Sequence, residues 1–220
     1  MKQRPVKNFI RRIAPGLFVL ARGLKLIYSE RSYLKQQGYW RSALHKAPMT
    51  LEGDALPWMN YGVIDFLAER LCSDMRMFEY GSGYSTRFYA TRVQSVISVE
   101  HNRGWFERMA EVLPDNVSLR YAPSADADEY IAAAVHTGQK VDFIVVDGRN
   151  RVACIMSAVA ALRDDGVMLL DDSRRERYQS GVRYLLENGF RQIRFCGLKP
   201  GSIESYCTSI FYRPGNRFGI

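Results

Sequence analysis

A glycine-containing stretch from Phe78 to Thr86 constrains the fold of this chain more than any other feature. It reads Phe-Glu-Tyr-Gly-Ser-Gly-Tyr-Ser-Thr, with an apolar run before it and a helix-like segment after it. Glycine permits a tight turn and lets a ligand approach the backbone, and the N–H groups that open a helix can face such a ligand. The sequence therefore predicts a strand, a ligand-binding turn and a helix in succession.

An acid follows this turn at the spacing that nucleotide-binding α/β folds use. The predicted second strand, residues 96–99, ends in Glu100, about 20 residues after the turn, where such folds place a carboxylate that accepts the ribose hydroxyls. The dinucleotide fingerprint G-x-G-x-x-G would need glycine where the chain has Thr86. A nucleotide-like ligand is favoured, and a dinucleotide site or a plain structural turn are the alternatives.

Apolar runs predict seven strands, with helices between the first five. Residues 141–146 form a continuous apolar run of the kind that buried parallel strands show, and residues 164–166 are typical of a turn before the next strand. The predicted strands are residues 75–78, 96–99, 117–121, 141–146, 167–170, 190–195 and 208–212. The fold class predicted is α/β, with a mostly parallel sheet, helices on both faces and an N-terminal helical extension.

Acidic residues follow four of these predicted strands. They are Glu79, Glu100, Asp147, Asp171 and Asp172. Ligands of such sheets bind beyond the carboxyl ends of the strands. Carboxylates that lie close together there destabilise the fold unless cations or the hydrogen-bond donors of a ligand interact with them. A ligand site is therefore expected at this edge, with Asp147 and Asp171 as candidates for a general base or an orienting group; for Asp172 a helix cap is the alternative.

The pattern Glu79-x-Gly81-x-Gly83, followed by a strand that ends in Glu100, resembles the first two motifs of class I S-adenosylmethionine-dependent methyltransferases. The resemblance extends from about residue 57 to the end of the chain. It implies a Rossmann-like sheet in the order 3-2-1-4-5-7-6, S-adenosylmethionine as the cofactor, and Glu79 as the partner of its ammonium group. The cofactor contacts that it implies are Glu79, Tyr80, Gly81, Ser82, Gly83, Ser85, Thr86, Glu100, His101, Ser124 and Asp147.

Two segments refine the resemblance. Residues 146–151 and 170–173 resemble bacterial class I methyltransferases of uncertain substrate, associated loosely with surface glycans, and less closely the divalent-metal O-methyltransferases of catechols and caffeoyl esters. In the latter, an Asp after strand four and an Asp-Asn pair after strand five hold the metal, positions that Asp147, Asp171 and Asp172 occupy here. Where those enzymes carry a basic residue three places after the first Asp, this chain has Asn150. We assign no metal, and these three acids are the expected ligands if one is used.

Arginines accompany the acids in two loops, at positions 149, 151, 174, 175 and 177. Guanidinium groups are shaped to bind carboxylate and phosphate. We therefore expect O-methylation of a small or glycan-linked anionic acceptor, with Arg149, Arg151 and Arg174 as acceptor contacts. A non-catalytic S-adenosylmethionine-binding adaptor at a membrane surface and a dinucleotide-dependent oxidoreductase are the alternatives.

Positive charge is concentrated at the N-terminus. Residues 1–50 hold eleven Lys and Arg against one acid, Glu30, whereas the remaining 170 residues hold 20 basic and 22 acidic side chains. The sequence thus divides into a basic amphipathic extension, residues 1–50, and a methyltransferase domain, residues 51–220, which is a poor binder of nucleic acid. Residues 6–28 show helical spacing of apolar side chains, with a break expected at Pro15-Gly16.

The same extension bears on location. Its longest apolar stretch, residues 13–21, is far short of the roughly 20 residues that cross a bilayer, and it lacks the features of a signal peptide. We expect a cytoplasmic protein whose N-terminal arm either contacts the inner membrane surface or packs on protein, including a second copy.

The cysteines, at positions 72, 154, 196 and 207, show no C-x-x-C spacing and are expected to be buried free thiols, and the scattered histidines predict no zinc site.

Overall fold

The strands of this computed structural model, which describes residues 11–220, belong to one seven-stranded sheet. They are β1 (Arg76–Tyr80), β2 (Ser95–Glu100), β3 (Val117–Tyr121), β4 (Val141–Val146), β5 (Leu162–Leu170), β6 (Arg191–Leu198) and β7 (Ser205–Tyr212). Their order in the sheet is β3-β2-β1-β4-β5-β7-β6. The first five strands pair in parallel, β7 is antiparallel to β5, and β6 and β7 form an antiparallel hairpin. The predicted fold class and the strand order implied by the resemblance are confirmed.

Helices connect the strands and precede the sheet. They are α1 (Pro15–Tyr28), α2 (Tyr33–Gln36), α3 (Tyr39–His45), α4 (Tyr61–Arg70), α5 (Tyr84–Ala90), α6 (Arg103–Ala110), α7 (Asp128–Ile131), α8 (Arg151–Ala158) and α9 (Gln179–Glu187). The short helices α2 and α3 were not predicted, because residues 29–50 lack a sustained apolar period.

Two apolar cores lie on opposite faces of the sheet. Successive side chains of a strand point to opposite faces, and in β4 the side chains of Phe143 and Val145 join one core, with α4 and α5. Those of Ile144 and Val146 join the other core, with α7, α8 and α9. Both faces of the central strands are therefore covered, as their continuous apolar sequence predicts.

The expected turn at residues 164–166 is wrong. These residues lie inside β5, where Val141 pairs with Leu162 but Phe143 pairs with Val167. Two positions of β4 therefore span five positions of β5, and the surplus residues Asp164, Asp165 and Gly166 form a bulge. A turn signal inside a strand marks such a bulge because the extra residues must leave the regular ladder.

The cysteines differ from the expectation of four buried free thiols. Cys196 and Cys207 face each other across the β6–β7 hairpin and form a disulfide. Cys72 and Cys154 are free, and only Cys154 is buried. The predicted strand at residues 190–195 stopped before Cys196, so the sequence did not reveal that hairpin register places the two side chains opposite each other.

The N-terminal extension has two parts. Helix α1 begins at Pro15, after Ala14 leaves the helical conformation, which confirms the expected break because proline needs no N–H partner in a first turn. No residue of α1 is buried. From Ser32 onward the chain packs on the domain, so the division at residue 50 stays a prediction; positions 6–10 of the predicted amphipathic pattern lie outside the described residues. Among residues 11–220 no helix has the length and apolarity needed to cross a membrane.

Candidate ligand-binding site

An open cleft of about 320 Å³ lies at the carboxyl ends of β1, β2, β4 and β5. Strand order reverses between β1 and β4, and open α/β sheets bind ligands at such a switch point. Six of the predicted cofactor contacts line the cleft: Gly81, Ser82, Ser85, Glu100, His101 and Asp147. The edge of the sheet at which the sequence predicts a ligand site therefore forms a cleft in the structure.

Two glycines form the floor of the cleft. Gly81 has a φ of +86°, a conformation that favours glycine, and a Cβ added there would lie 2.9 Å from Cα of Gly148. A Cβ added at Gly148 would overlap the hydroxyl of Tyr130 and lie 3.0 Å from the backbone nitrogen of Gly81. The loops after β1 and β4 thus touch backbone to backbone. Gly148 was missed as a site residue, because a single glycine after a strand gives no signal of what its backbone approaches.

Glu79 does not line the cleft. Its side chain is fully buried, where Oε1 accepts a 2.6 Å hydrogen bond from Ser85 Oγ and Oε2 accepts a 2.5 Å bond from Thr86 Oγ1. Thr86 Oγ1 in turn accepts from the N–H of Gly83 at 2.8 Å. Burial raises the pKa of Glu79 to about 8. Glu79 therefore fixes the glycine turn from inside, and its expected direct contact with a cofactor ammonium is corrected.

Four other implied cofactor contacts also lie outside the lining of the cleft, and one of them is Gly83, which is buried in the glycine turn. Tyr80 points into a core, where its hydroxyl donates to the carbonyl of Ile131 at 2.8 Å, and Thr86 is fully buried. Ser124 is exposed in the loop after β3. That loop is tied instead to Asn150, whose Nδ2 donates to Asp126 Oδ1 at 3.2 Å.

Glu100 lies at the cleft with its carboxylate held by backbone groups. Oε1 accepts from the N–H groups of His101, at 2.9 Å, and Asn102, at 2.7 Å. Oε2 accepts from the N–H of Ser82 at 3.2 Å. A carboxylate oxygen has two acceptor positions, so Oε2 retains one for a ligand donor. Nearby, Ser82 Oγ is buried and has no hydrogen-bond partner within residues 11–220.

A buried cluster of acids surrounds Arg151, the first residue of α8. Arg151 Nη2 lies 2.7 Å from Asp147 Oδ1, and Nη1 lies 3.9 Å from both Asp171 Oδ2 and Asp172 Oδ2. Arg175 Nη2 completes the cluster at 2.6 Å from Asp172 Oδ2. Asp172 therefore pairs with arginines and does not begin a helix, so the helix-cap alternative is excluded.

The acids of this cluster differ in their access to the cleft. The side chain of Asp147 is 26% exposed and lines the cleft, whereas Asp171 is buried and accepts a 2.6 Å hydrogen bond from Thr208 Oγ1. Burial and the nearby Asp147 charge raise the pKa of Asp171 to about 8. Burial also raises the pKa of Asp147, an effect that Arg151 opposes. Of the two predicted catalytic acids, only Asp147 can meet a ligand directly.

The three acids do not fit a divalent metal. Mg²⁺ demands a near-octahedral set of oxygens at about 2.0–2.1 Å, whereas here the Arg151 guanidinium lies between the carboxylates that would supply them. In the part of the chain that the structure describes, no three His, Cys, Asp or Glu side chains are arranged to hold a metal ion.

Arginines form the rim of the cleft, but not all those expected. Arg149 and Arg151 line it, Arg174 does not, and Arg175 and Arg177 take its place beside Tyr178. Asp172, with a φ of +54°, turns the loop and decides which arginines face inward. The sequence showed the basic character of this loop without showing its turn.

Comparisons with known proteins support the fold. A scan against protein-family models and a search of curated proteins give no match. Among solved structures, an rRNA methylase from Streptococcus thermophilus has a TM-score of 0.51 at 13% identity, over 68% of this chain and 92% of its own. The N-methyltransferase NodS from Bradyrhizobium japonicum, in complex with S-adenosylhomocysteine, gives 0.51 at 16%, over 82% and 98%. A precorrin 8w decarboxylase from Methanobacterium thermoautotrophicum gives 0.51 at 19%, over 69% and 87%. Likeness at these identities establishes the fold.

Proposed function

We propose that this chain, which has the fold of class I S-adenosylmethionine-dependent methyltransferases, binds S-adenosylmethionine in the cleft and transfers its methyl group. The observation that carries the proposal is the carboxylate of Glu100, which lines the cleft and is held by three backbone N–H groups with one acceptor position free. The NodS complex with S-adenosylhomocysteine supports a ligand of this class in this fold.

The residues present fit this cofactor. Glu100 would accept a ribose hydroxyl, the glycine floor at Gly81 and Gly148 admits a ligand close to the backbone, and the unpartnered Ser82 hydroxyl supplies a further polar contact. When bound, the cofactor supplies a methyl group on a positively charged sulfur. Asp147 and Asp172 are paired with arginines, whereas Glu100 lines the cleft without an arginine partner among residues 11–220 and offers a carboxylate to that cation.

The acceptor proposed is an anionic molecule with a hydroxyl group, small or glycan-linked. Arg149, Arg175 and Arg177 are exposed at the rim, where they can bind carboxylate or phosphate. Asp147 is the most exposed acid of the cluster and lines the cleft, and its raised pKa favours accepting a proton from the acceptor hydroxyl. Asp171 supports it from the buried side of Arg151.

Calorimetry and an activity screen test this function. Titration of the purified protein with S-adenosylmethionine, S-adenosylhomocysteine and NAD is expected to show binding of the first two only, and NAD binding would instead favour an oxidoreductase. Methyl transfer is then screened across neutral and anionic sugars, phenols and amines. Cofactor binding without transfer to any acceptor would favour a non-catalytic adaptor, and preference for a neutral phenol would contradict the anionic acceptor.

We also propose that helix α1 docks on an anionic membrane surface. The stripe Leu17, Leu20, Leu24 and Ile27, at helical spacing, is 40–66% exposed. Basic residues accompany it, and no acid occurs from position 11 to 29. Apolar side chains with basic neighbours match an interface of acyl chains and acidic headgroups. A second copy of the arm would bring two sets of eleven basic side chains together, so self-association is disfavoured.

The arm is connected to the cleft side of the domain. Helix α3, which follows α1 within the extension, contacts the β6–β7 loop, where the Tyr39 hydroxyl donates to the carbonyl of Ser202 at 3.2 Å. Lys199 of that loop lies near enough to Asp147 for its charge to lower the pKa of that carboxyl. A docked arm would therefore hold the acceptor side of the cleft close to the membrane, where a lipid-linked acceptor is available.

A further inference from the structure

The guanidinium of Arg151 is engaged on nearly all of its donor positions. Nε donates to the carbonyl of Gly148 at 3.0 Å, Nη1 to the carbonyl of Asp171 at 2.5 Å, and Nη2 to both the carbonyl and Oδ1 of Asp147, at 2.9 and 2.7 Å. An arginine has five N–H donors, so four are used by the protein's own oxygens. The remaining one faces the carboxylates of Asp171 and Asp172 at 3.9 Å.

The surroundings of Arg151 fix it in this position. Its side chain is 9% exposed, and its Cζ lies 5.0 Å from the ring centroid of Tyr178, which covers it by a cation–π contact. The turn that delivers it depends on Asn150, whose φ is +45°. A planar, delocalised cation with fixed geometry suits such a buried position better than a flexible ammonium group does.

The cluster holds three acids and two arginines. Three carboxylates, Asp147, Asp171 and Asp172, converge on Arg151, and only Arg175 adds a second positive charge in direct contact. Without Arg151 the site would hold three carboxylates against one cation, with two of the acids largely buried. Such an arrangement either raises the pKa values of the acids or recruits a cation from solution.

We propose that Arg151 is the resident cation of this cluster and takes the position among the three acids that a divalent metal would have to occupy. Arg151 is then a positioning residue: it holds Asp147 at the cleft wall, and its one N–H without a hydrogen bond faces the carboxylates of Asp171 and Asp172. This corrects the expectation that Arg151 contacts the substrate and leaves that role to Arg149, Arg175 and Arg177. It also makes the cluster independent of added metal, whatever reaction the cleft supports.

Mn²⁺ titration followed by electron paramagnetic resonance tests the proposal on the full chain without cofactor or acceptor. The wild-type protein is expected not to bind Mn²⁺ at millimolar concentration, so the signal of free Mn²⁺ stays undiminished. The near-isosteric neutral variant Arg151→Gln is expected to bind Mn²⁺ at least about tenfold more tightly, a difference of about 1.4 kcal/mol, and the double variant R151Q/D171N is expected to lose the gain. Arg151→Lys, which keeps a cation, serves as the matched control and is expected to behave like the wild type.

Two results would overturn the proposal. One is saturable Mn²⁺ binding by the wild-type protein that disappears in Asp171→Asn, and the other is a folded R151Q variant that gains no Mn²⁺ binding. If R151Q does not fold, the wild-type and D171N titrations decide, because absence of a bound Mn²⁺ signal in the wild type supports a site already filled by arginine. Mn²⁺ binding is measured without methyl transfer, so failure here is distinct from failure of the proposed function.

Discussion

The carboxylate of Glu100 accepts a 3.2 Å hydrogen bond from the backbone N–H of Ser82, so the end of β2 is tied to the glycine turn after β1. The same carboxylate offers its remaining acceptor position to the cleft. Structure and ligand binding at this point therefore depend on one side chain.

Glu100→Gln is expected to weaken S-adenosylhomocysteine binding, because the amide loses the negative charge that strengthens hydrogen bonds to hydroxyl groups. Each charge-assisted bond contributes roughly 1.5–3 kcal/mol, so a loss of at least tenfold in affinity is expected by calorimetry. Glu107→Gln is the matched control, since Glu107 is exposed on α6 and pairs with Arg103 on the surface. Equal affinities for the two variants would contradict the assignment of Glu100.

Gly148→Ala is expected to destabilise the fold and to impair ligand binding. The new Cβ would overlap the Tyr130 hydroxyl and lie 3.0 Å from the Gly81 nitrogen, and overpacking of this kind costs about 1–3 kcal/mol. Gly104→Ala is the control, because the nearest atom to its Cβ is 3.8 Å away. Urea unfolding of both variants checks the prediction, which fails if they are equally stable.

The buried Glu79 predicts that the folded state loses stability as pH rises. Its pKa is raised from an ordinary 4.5 to about 8, so between these values the folded state holds a proton that the unfolded state has released. The free energy of unfolding therefore falls with pH in this window, by up to roughly 1 kcal/mol per pH unit. Urea unfolding from pH 5 to 8 measures the slope. Glu79→Gln should make the slope shallower and leave the part due to Asp171, whose pKa is also raised to about 8, and an unchanged slope would show that Glu79 is ionised in the fold.

Docking of α1 is tested by vesicle flotation. The full chain is expected to float with vesicles that contain phosphatidylglycerol and to stay behind with purely phosphatidylcholine vesicles, because the only charged side chains of residues 11–29 are basic. Leu20→Glu with Leu24→Glu should abolish flotation, since both side chains belong to the exposed stripe. Val112→Glu, an exposed apolar position outside the arm, is the control. A dimer in sedimentation that L20E/L24E dissociates would instead favour self-association.

The hairpin disulfide is checked by counting thiols under denaturing, non-reducing conditions. Two free thiols, at Cys72 and Cys154, are expected, and reduction should release two more. Reduction is also expected to lower the free energy of unfolding by about 2–3 kcal/mol, because it removes a closed loop from the unfolded chain. Four reactive thiols without reductant would contradict the bond and restore the expectation of reduced cysteines.

Strand positions and the ligand edge could be predicted from the sequence because both depend on local pattern. Apolar runs identify buried strands, and the acids that follow them must meet at one edge of a parallel sheet. The burial of the Glu79 side chain away from the cleft could not be predicted. Both faces of β1 are buried, so the sequence shows no alternation of apolar and polar residues that would tell the two faces apart. A clue existed in Ser98, which is the register partner of Glu79 on β2 and donates to it at 3.4 Å.

The contacts of Arg151 lay further beyond sequence reasoning. Its partners Asp147 and Asp171 are 4 and 20 positions away along the chain, and they meet it only because β4 and β5 are neighbours. The spacing of Asp147 and Arg151 suits an i,i+4 pair in a helix, but the helix begins only at Arg151, after Asn150 with its positive φ. The sequence therefore showed which charged residues belong to the site. It did not show which of them pair with each other, and this pairing decides which charges remain available to a ligand.

The backbone contact between Gly81 and Gly148 divides the cleft into a floor that does not accept substitutions and a rim that does. The floor presents no side chain to exchange, and any side chain added at either glycine meets the opposite loop. The rim arginines are exposed and belong to different loops. Acceptor preference can thus diverge, by natural drift or by directed evolution, through rim substitutions that leave the donor platform untouched.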